Sequence, residues 1–351
     1  MKRRDFVKLG GLTTLAMFLD KNNIVNASET IESKKVNGIK VDFHAHPIIP
    51  SYVNGLEKLG INANEEEGFP LPKWTIENHL EFMDKAQIDY TILSVPTPHI
   101  YNGNDKLSRD VARKINEEMA GICQKYPKKF GFVAVLPMPN IEHSIEEIRY
   151  AKKYLKSLGV KVASNSYGIY LGDSKLEAIF EELNNNRELV IIHPSPARQL
   201  PRENVITGKV MALFEYPVDT TRAVLNMLSN GTLTKFPNIK FIVPHCGSFL
   251  PYMKYRAGAM FKMLANMQMM PAVDINQDME KLYFDLAGDP NKETLNMLLN
   301  ITNKNHIVYG SDFPYVSTNI LLKKKKILDI ELTKRLLLDE VYYKNAKKIL
   351  D

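Results

Sequence analysis

The chain has 351 residues, of which 44% are hydrophobic and 25% charged, a balance typical of a globular protein with a large buried core. Its 46 basic and 40 acidic residues give a formal net charge of +6, and this small, evenly spread excess argues against nucleic acid as a partner. With only Cys123 and Cys246, the sequence has no basis for a disulfide framework.

The first 27 residues are predicted to be an export signal rather than part of the fold. A basic segment containing Arg3 and Arg4 precedes an apolar segment from Leu9 to Leu19, and small residues follow near Ala27. This segment is too short to span a bilayer, so a cleaved signal is favoured over a stable membrane anchor. The paired arginines resemble a twin-arginine signal, with an ordinary secretory signal as the alternative. We therefore expect an extracytoplasmic, periplasmic-type location, with residues 28–351 as a single domain.

From residue 39 onward the sequence alternates between short apolar runs and helical patterns. Near-continuous apolar runs are typical of parallel strands that are covered on both faces. The predicted strands are 39–46, 90–95, 130–136, 159–164, 189–193, 239–244, 282–287 and 306–310. The predicted helices are 75–87, 106–125, 142–157, 174–185, 217–229, 248–267 and 292–301, with two more between 317 and 350. This order fits a closed (β/α)8 barrel or an open doubly wound sheet. Because no GxGxxG motif follows the first strand, a dinucleotide-binding sheet is disfavoured and we expect the TIM barrel.

Side chains that can bind a metal stand where four of the predicted strands end. His44 and His46 end the first strand, His193 the fifth, His245 the sixth and Asp312 the eighth. In a barrel these strand ends form one rim, which is where active sites are built. Each residue alone has another explanation, such as a core histidine or a helix cap. Together they predict a site for zinc or a similar divalent ion.

The positions of Asp42 and Lys161 in their strands bear on this rim. With a period of two, Asp42 should share a face with His44 and His46 and stand behind them as an outer partner. In the fourth strand Lys161 comes before the predicted end of the strand.

The joint pattern resembles that of the amidohydrolase superfamily. The segments FEYPVDTTRAVLNMLSNGTLTKFPNIKFIVPHCGSFLPYMKYR, LYFDLAG, IVYGSDFPY and YYKNAKKIL resemble its branch containing aminocarboxymuconate-semialdehyde decarboxylase. The resemblance implies that His44, His46, His193 and Asp312 bind the metal. It also implies that His245 is the catalytic acid/base beside a metal-activated water, with Asp312 taking part in catalysis. Two-metal members of the superfamily use a lysine from strand four. Lys161 stands too early in its strand to supply that lysine, so we expect one divalent ion, with zinc favoured.

The resemblance also implies a small acidic substrate and a homodimer, because the decarboxylase uses an arginine from across a dimer interface. Arg256 stands at the corresponding position, eleven residues after His245. A second arginine of that enzyme has no counterpart between residues 48 and 107. This difference argues against aminocarboxymuconate semialdehyde as the substrate.

Two other functions are open at this stage. A metal-activated water can hydrolyse an amide, ester or lactone; Arg198, in the loop after His193, could then bind an anionic group and Tyr315 could line the pocket. A non-catalytic metal-binding protein is the third possibility, which the presence of His245 disfavours.

Overall fold

The computed structural model of the chain describes residues 36–197 and 210–351. In these ranges strands and helices alternate in the predicted order. The strands are β1 (Val41–Ala45), β2 (Tyr90–Leu93), β3 (Phe130–Phe132 and Ala134–Val135), β4 (Gly159–Ala163), β5 (Leu189–His193), β6 (Lys240–Val243), β7 (Tyr283–Asp285) and β8 (Ile307–Val308). The export signal predicted for residues 1–27 and the predicted contact residue Arg198 lie outside the described residues, so both stay predictions.

The helices lie where the sequence predicts them, and additional short ones occur in the connections. They are α1 (Pro50–Lys58), α2 (Ala63–Glu67), α3 (Ile76–Ala86), α4 (Asp105–Lys125), α5 (Ile141–Tyr150), α6 (Glu177–Asn185), α7 (Glu215–Ser229), α8 (Thr232–Lys235), α9 (Leu250–Asn266), α10 (Ile275–Lys281), α11 (Lys292–Leu299), α12 (Thr318–Lys334) and α13 (Asn345–Leu350). Among the described residues, none of the helices combines the length and apolarity that a membrane crossing requires.

Hydrogen bonds link the strands into a closed ring. Neighbouring strands pair in parallel from β1 to β3 and from β3, through Ala134–Val135, to β8. The ring closes where the Phe43 N–H donates to the Tyr309 carbonyl oxygen at 3.0 Å and Ala45 forms a parallel bridge with Phe313. The predicted (β/α)8 barrel is therefore confirmed.

Apolar side chains fill the interior of this barrel below the rim. They come from most of its strands and include Val41, Phe43, Ile92, Val133, Leu189, Ile191, Ile242 and Val308. Ala346 and Ile349 of α13 pack against the same cluster. A second, larger apolar cluster includes residues of the strands and of the surrounding helices. With both faces of the strands buried, the polar residues at the strand ends are held on a rigid support.

A bulge in β1 changes the predicted alternation. Val41 and Asp42 pair with consecutive residues of β2, but Ala45 pairs with Leu93, so β1 contains one residue more than its partner. Val41 and Phe43 both belong to the interior cluster, which turns Asp42 between them to the opposite face. The prediction that Asp42 shares a face with the two histidines was wrong, because the bulge breaks the period of two.

A buried amide on α4 holds β3 in place. The Asn116 Oδ1 accepts from the Val135 N–H at 2.9 Å, and its Nδ2 donates to the Val135 carbonyl at 2.9 Å and to Glu147 Oε1 at 2.8 Å. Asn116 is completely buried, so no water can replace these bonds.

We predict that Asn116→Ala lowers the free energy of unfolding by about 1–3 kcal/mol, because the buried polar groups of Val135 and Glu147 lose their partners. Equilibrium denaturation measures the change. Gln124→Ala removes an exposed amide from the same helix and should stay within about 0.5 kcal/mol of the parent. Equal stability of the two variants would contradict a structural role for the Asn116 amide.

Candidate metal centre

The structure brings the five predicted rim residues together. The ring centroids of His44 and His46 are 4.9 Å apart, those of His46 and His193 4.7 Å, and those of His44 and His245 5.0 Å. Asp312 joins them, with its Oδ1 3.2 Å from His46 Nε2 and its Oδ2 3.7 Å from His245 Nε2. One small volume at the C-terminal end of the barrel therefore contains four imidazoles and a carboxylate.

The hydrogen bonds around three of these histidines engage Nδ1 and leave Nε2 as the atom that can bind a metal. His44 Nδ1 lies 2.8 Å from Asp285 Oδ2, and His46 Nδ1 lies 2.9 Å from the Ser94 carbonyl oxygen. Both partners only accept, so each Nδ1 must carry the proton. His193 Nδ1 lies 3.0 Å from Thr97 Oγ1, whose own proton goes to the Pro194 carbonyl.

These tautomers leave the Nε2 atoms of His44 and His46 facing each other at 3.1 Å. Two lone pairs at that distance repel unless a proton or a cation lies beside them. The ligating atoms of His44, His46 and His193 lie within 4.8 Å of one another, and so do those of His44, His245 and Asp312. Imidazole nitrogens with a carboxylate oxygen are suitable ligands for a divalent transition metal. The residues present therefore fit a single divalent cation.

The protonation states of most of these groups also suit a cation. Burial lowers the pKa of His46, and burial together with the neighbouring charges holds the pKa of His193 well below its usual value. Burial opposes the ionisation of Asp312, but the His245 and His46 side chains hold its pKa well below the usual range. Burial disfavours the imidazolium of His44, yet the Asp285 carboxylate raises its pKa to about 9. A metal must displace that one proton.

Asp285, at the end of β7, is the outer partner that the sequence analysis missed. Its Oδ2 accepts from His44 Nδ1, and its Oδ1 accepts from the backbone N–H groups of His245 and Ala287 at 2.9 and 3.0 Å. Asp42, which was expected in this role, instead accepts from the backbone N–H groups of His44 and Ser311. The sequence could have identified Asp285, because it is a carboxylate at the end of an apolar strand, like Asp312.

Close packing at Gly310 makes the contact between His44 and Asp285 possible. A Cβ at Gly310 would lie 2.8 Å from the Cβ of His44 and 3.1 Å from that of Asp285. The first distance is too short for any side chain, so glycine is required beside this pair.

Two residues of the centre adopt a backbone conformation that side chains rarely tolerate. His245 has φ 56° and Asp312 has φ 62°, in the left-handed region where each non-glycine residue costs about 1–3 kcal/mol. The surrounding hydrogen bonds hold them there, including the bond from the His245 N–H to Asp285.

The other predicted site residues lie at different distances from the centre. Tyr315 is half-buried, and its ring lies 5.6 Å from that of His46 and 6.0 Å from that of Phe69. Lys161 is buried in β4 and pairs with Ile191, two residues before the rim histidine of β5. Arg256 is exposed on α9.

Residues 41–351 match the model of a protein family described as amidohydrolase. The chain belongs to the amidohydrolase family. A 6-methylsalicylic acid decarboxylase from Penicillium expansum is 30% identical over 296 residues, which cover 83% of this chain and 89% of the relative. A 2-amino-3-carboxymuconate-6-semialdehyde decarboxylase from Dictyostelium discoideum is 24% identical over 298 residues, which cover 79% and 82%.

A solved structure supports the same fold. The 5-carboxyvanillate decarboxylase of Novosphingobium aromaticivorans, complexed with manganese and 4-hydroxy-3-methoxy-5-nitrobenzoic acid, has a TM-score of 0.76 at 20% identity. The match covers 90% of this chain and 96% of that chain. The predicted membership of the amidohydrolase family, the likeness to its decarboxylases and the prediction of an enzyme are thus confirmed.

We predict that Asp285→Asn weakens metal binding about 10–100-fold, the usual effect of losing an outer hydrogen-bond partner of a ligand. An amide cannot accept from His44 Nδ1 and from the two backbone N–H groups at once, so the imidazole loses its fixed tautomer. Competition with a chelator measures the Kd of the metal.

Asp289→Asn is the matched control, since this carboxylate follows the same strand but has a 76% exposed side chain. Its metal affinity should equal that of the parent. Unchanged affinity in Asp285→Asn would mean that the His44 tautomer does not depend on Asp285.

Proposed function

We propose that this enzyme removes the carboxyl group of a small hydroxylated aromatic acid as CO2, with one divalent cation held by His44, His46, His193 and Asp312. The observation that carries the proposal is the set of three imidazoles whose ligand atoms lie within 4.8 Å of one another, beside an ionised carboxylate on the barrel rim. The relative that acts on 6-methylsalicylic acid and the structure that binds a hydroxylated nitrobenzoic acid support an aromatic substrate over an ester, amide or lactone.

We propose zinc as the resident ion, because three imidazoles and one carboxylate are ligands that zinc commonly takes in proteins. Manganese is the alternative, since the 5-carboxyvanillate decarboxylase contains it. Metal analysis of the purified protein, followed by reconstitution with each ion separately, distinguishes the two.

When bound, the cation supplies positive charge that binds the substrate carboxylate and stabilises negative charge developing on the substrate. Decarboxylation breaks the bond between the ring carbon and the carboxyl carbon. The electron pair of that bond remains on the ring, CO2 leaves, and one proton takes its place on the ring carbon. The enzyme must therefore supply a proton at that carbon.

We assign this proton to His245. Its side chain is 18% exposed, whereas His44, His46 and His193 are almost fully buried. Its Nε2 faces Asp312 Oδ2 at 3.7 Å, and its Nδ1 has no hydrogen-bond partner in the part of the chain that the structure describes. An imidazole in this position can act as a general acid.

We predict that His245→Ala keeps its metal while turnover falls about 10²–10⁴-fold, because the general acid is lost but all four proposed metal ligands remain. His193→Ala should lose metal and activity together. The measurements are metal content per chain and CO2 release from a panel of hydroxybenzoic acids.

His143→Ala is the control, because this histidine lies on α5 and is not among the residues that the structure brings together as metal ligands, and it should leave metal content and turnover unchanged. Undiminished turnover in His245→Ala would remove His245 from the mechanism. Acid production without CO2 release by the parent enzyme would instead favour hydrolysis.

We also propose that the enzyme is a homodimer in which Arg256 contributes to the substrate site of its partner. The apolar surface around this residue on α9 supports the proposal: Tyr252 is 76% exposed, Tyr255 80% and Met263 45%. An exposed apolar surface of this kind favours association, and a guanidinium suits a carboxylate.

Mixing two impaired variants tests this arrangement. Alone, Arg256→Met should be weakly active and His193→Ala inactive. Refolded together, they should regain part of the parent activity, because one site of a mixed dimer then has both residues. No recovery, with a dimer confirmed by light scattering, would place Arg256 outside the site of the partner, and a monomer would remove the proposal.

A further inference from the structure

The connection between β1 and α3 brings a buried carboxyl group to the mouth of the barrel. Glu67, the last residue of α2, is only 1% exposed although it ends the acidic run Glu65–Glu67. Tyr216, near the start of α7, donates a hydrogen bond to its Oε2. Its Oε1 is buried and has no hydrogen-bond partner among residues 36–197 and 210–351. One oxygen is thus fixed and the other is available.

This carboxyl group lies next to the metal centre. Its charge interacts with those of Asp312 and Lys161. Its partner Tyr216 lies beside Thr97, whose Oγ1 accepts from Nδ1 of His193. Glu67 is thus close to the rim, with Tyr216 and Thr97 beside it.

Hydrogen bonds within the protein leave the polar atoms of Glu67 and Lys161 only partly satisfied. A buried acceptor without a partner costs free energy, and such groups in native proteins call for an explanation. Lys161 is similar: its buried ammonium group donates one long bond, 3.4 Å, to the Pro96 carbonyl oxygen. Two neighbouring groups with unused hydrogen-bonding capacity beside a metal centre point to a ligand that completes them.

The charges around Glu67 restrict the chemistry of that ligand. The Asp312 carboxylate disfavours a second anionic group, and Lys161 disfavours a cationic one. Burial raises the pKa of Glu67 to about 8, so the group is largely neutral at pH 7 and can both donate and accept. A neutral group with the same double capacity, such as a hydroxyl, fits this place.

We propose that Glu67 is a specificity-determining residue whose Oε1 binds a hydroxyl group on the ring of the aromatic acid, while Tyr216 holds the carboxyl group in position. This inference rests on the proposed function and adds to it the group that selects the substrate. Benzoic acids without such a hydroxyl would leave Oε1 unpaired and bind more weakly.

Calorimetric binding of benzoate and its three monohydroxy derivatives to the metal-loaded enzyme tests the proposal. The parent should bind at least one hydroxybenzoate about 10-fold or more tighter than benzoate, the effect of a hydrogen bond to a buried polar group. In Glu67→Leu this preference should disappear while benzoate affinity changes less than about threefold. Glu66→Leu is the control, since Glu66 belongs to the same helix but is exposed, and it should behave like the parent.

Tyr216→Phe tests the same place without altering Glu67. It should reduce the preference, because the carboxyl group loses its anchor, and it carries the test if Glu67→Leu does not fold or loses its metal. A preference that survives in the variants overturns the proposal. So does an equal loss of affinity for benzoate and hydroxybenzoates, which would mean that Glu67 only supports the structure.

The CO2 assay on the same acids separates this inference from the proposed function. A parent enzyme that prefers a hydroxybenzoate in binding but releases no CO2 from any of them contradicts decarboxylation and leaves the binding role of Glu67 supported. If the parent releases CO2 but its preference for hydroxybenzoates does not depend on Glu67, decarboxylation is supported and the binding role of Glu67 is contradicted.

Discussion

The carboxylate of Asp285 joins three segments of the rim that lie far apart in the sequence. It accepts from the ring of His44 on β1 and from the backbone of His245 after β6, while its own strand is β7. A fully buried carboxylate is costly unless donors surround it, and here one imidazole and two backbone N–H groups do so. The tautomer of His44 and the placement of His245 both depend on this one group. Gly310 provides the space that the contact needs.

The barrel and its connections have separate tasks in this protein. The strand ends hold His44, His46 and His193 on a support that is apolar on both faces of the strands. The groups beside the centre, such as Glu67 and Tyr216, come from the connection after β1 and from α7. Rigid strands suit a metal, which needs fixed distances, whereas connecting segments can change without loss of the fold.

The strands and the residues that meet at the rim could be predicted because both leave local signals. An apolar run that ends in a histidine identifies a strand and its rim residue at once, as in LVIIH before Pro194. The bulge in β1 leaves no such signal, so strict alternation gave Asp42 the wrong face. Glu67 could not be found either, because three consecutive glutamates suggest an exposed surface and only the tertiary contact with Tyr216 shows its burial. Tertiary burial of a single member of a charged run cannot be deduced from composition.

The closed ring of strands has a consequence for how the protein folds and acquires its metal. His44 lies at one end of the barrel sequence and Asp312 at the other, and the two meet only when β8 docks against β1. No partial chain brings these residues together, so an ion bound by all of them would require that the last strand has closed. Because such an ion would bind only the closed form, it would shift the folding equilibrium toward that form.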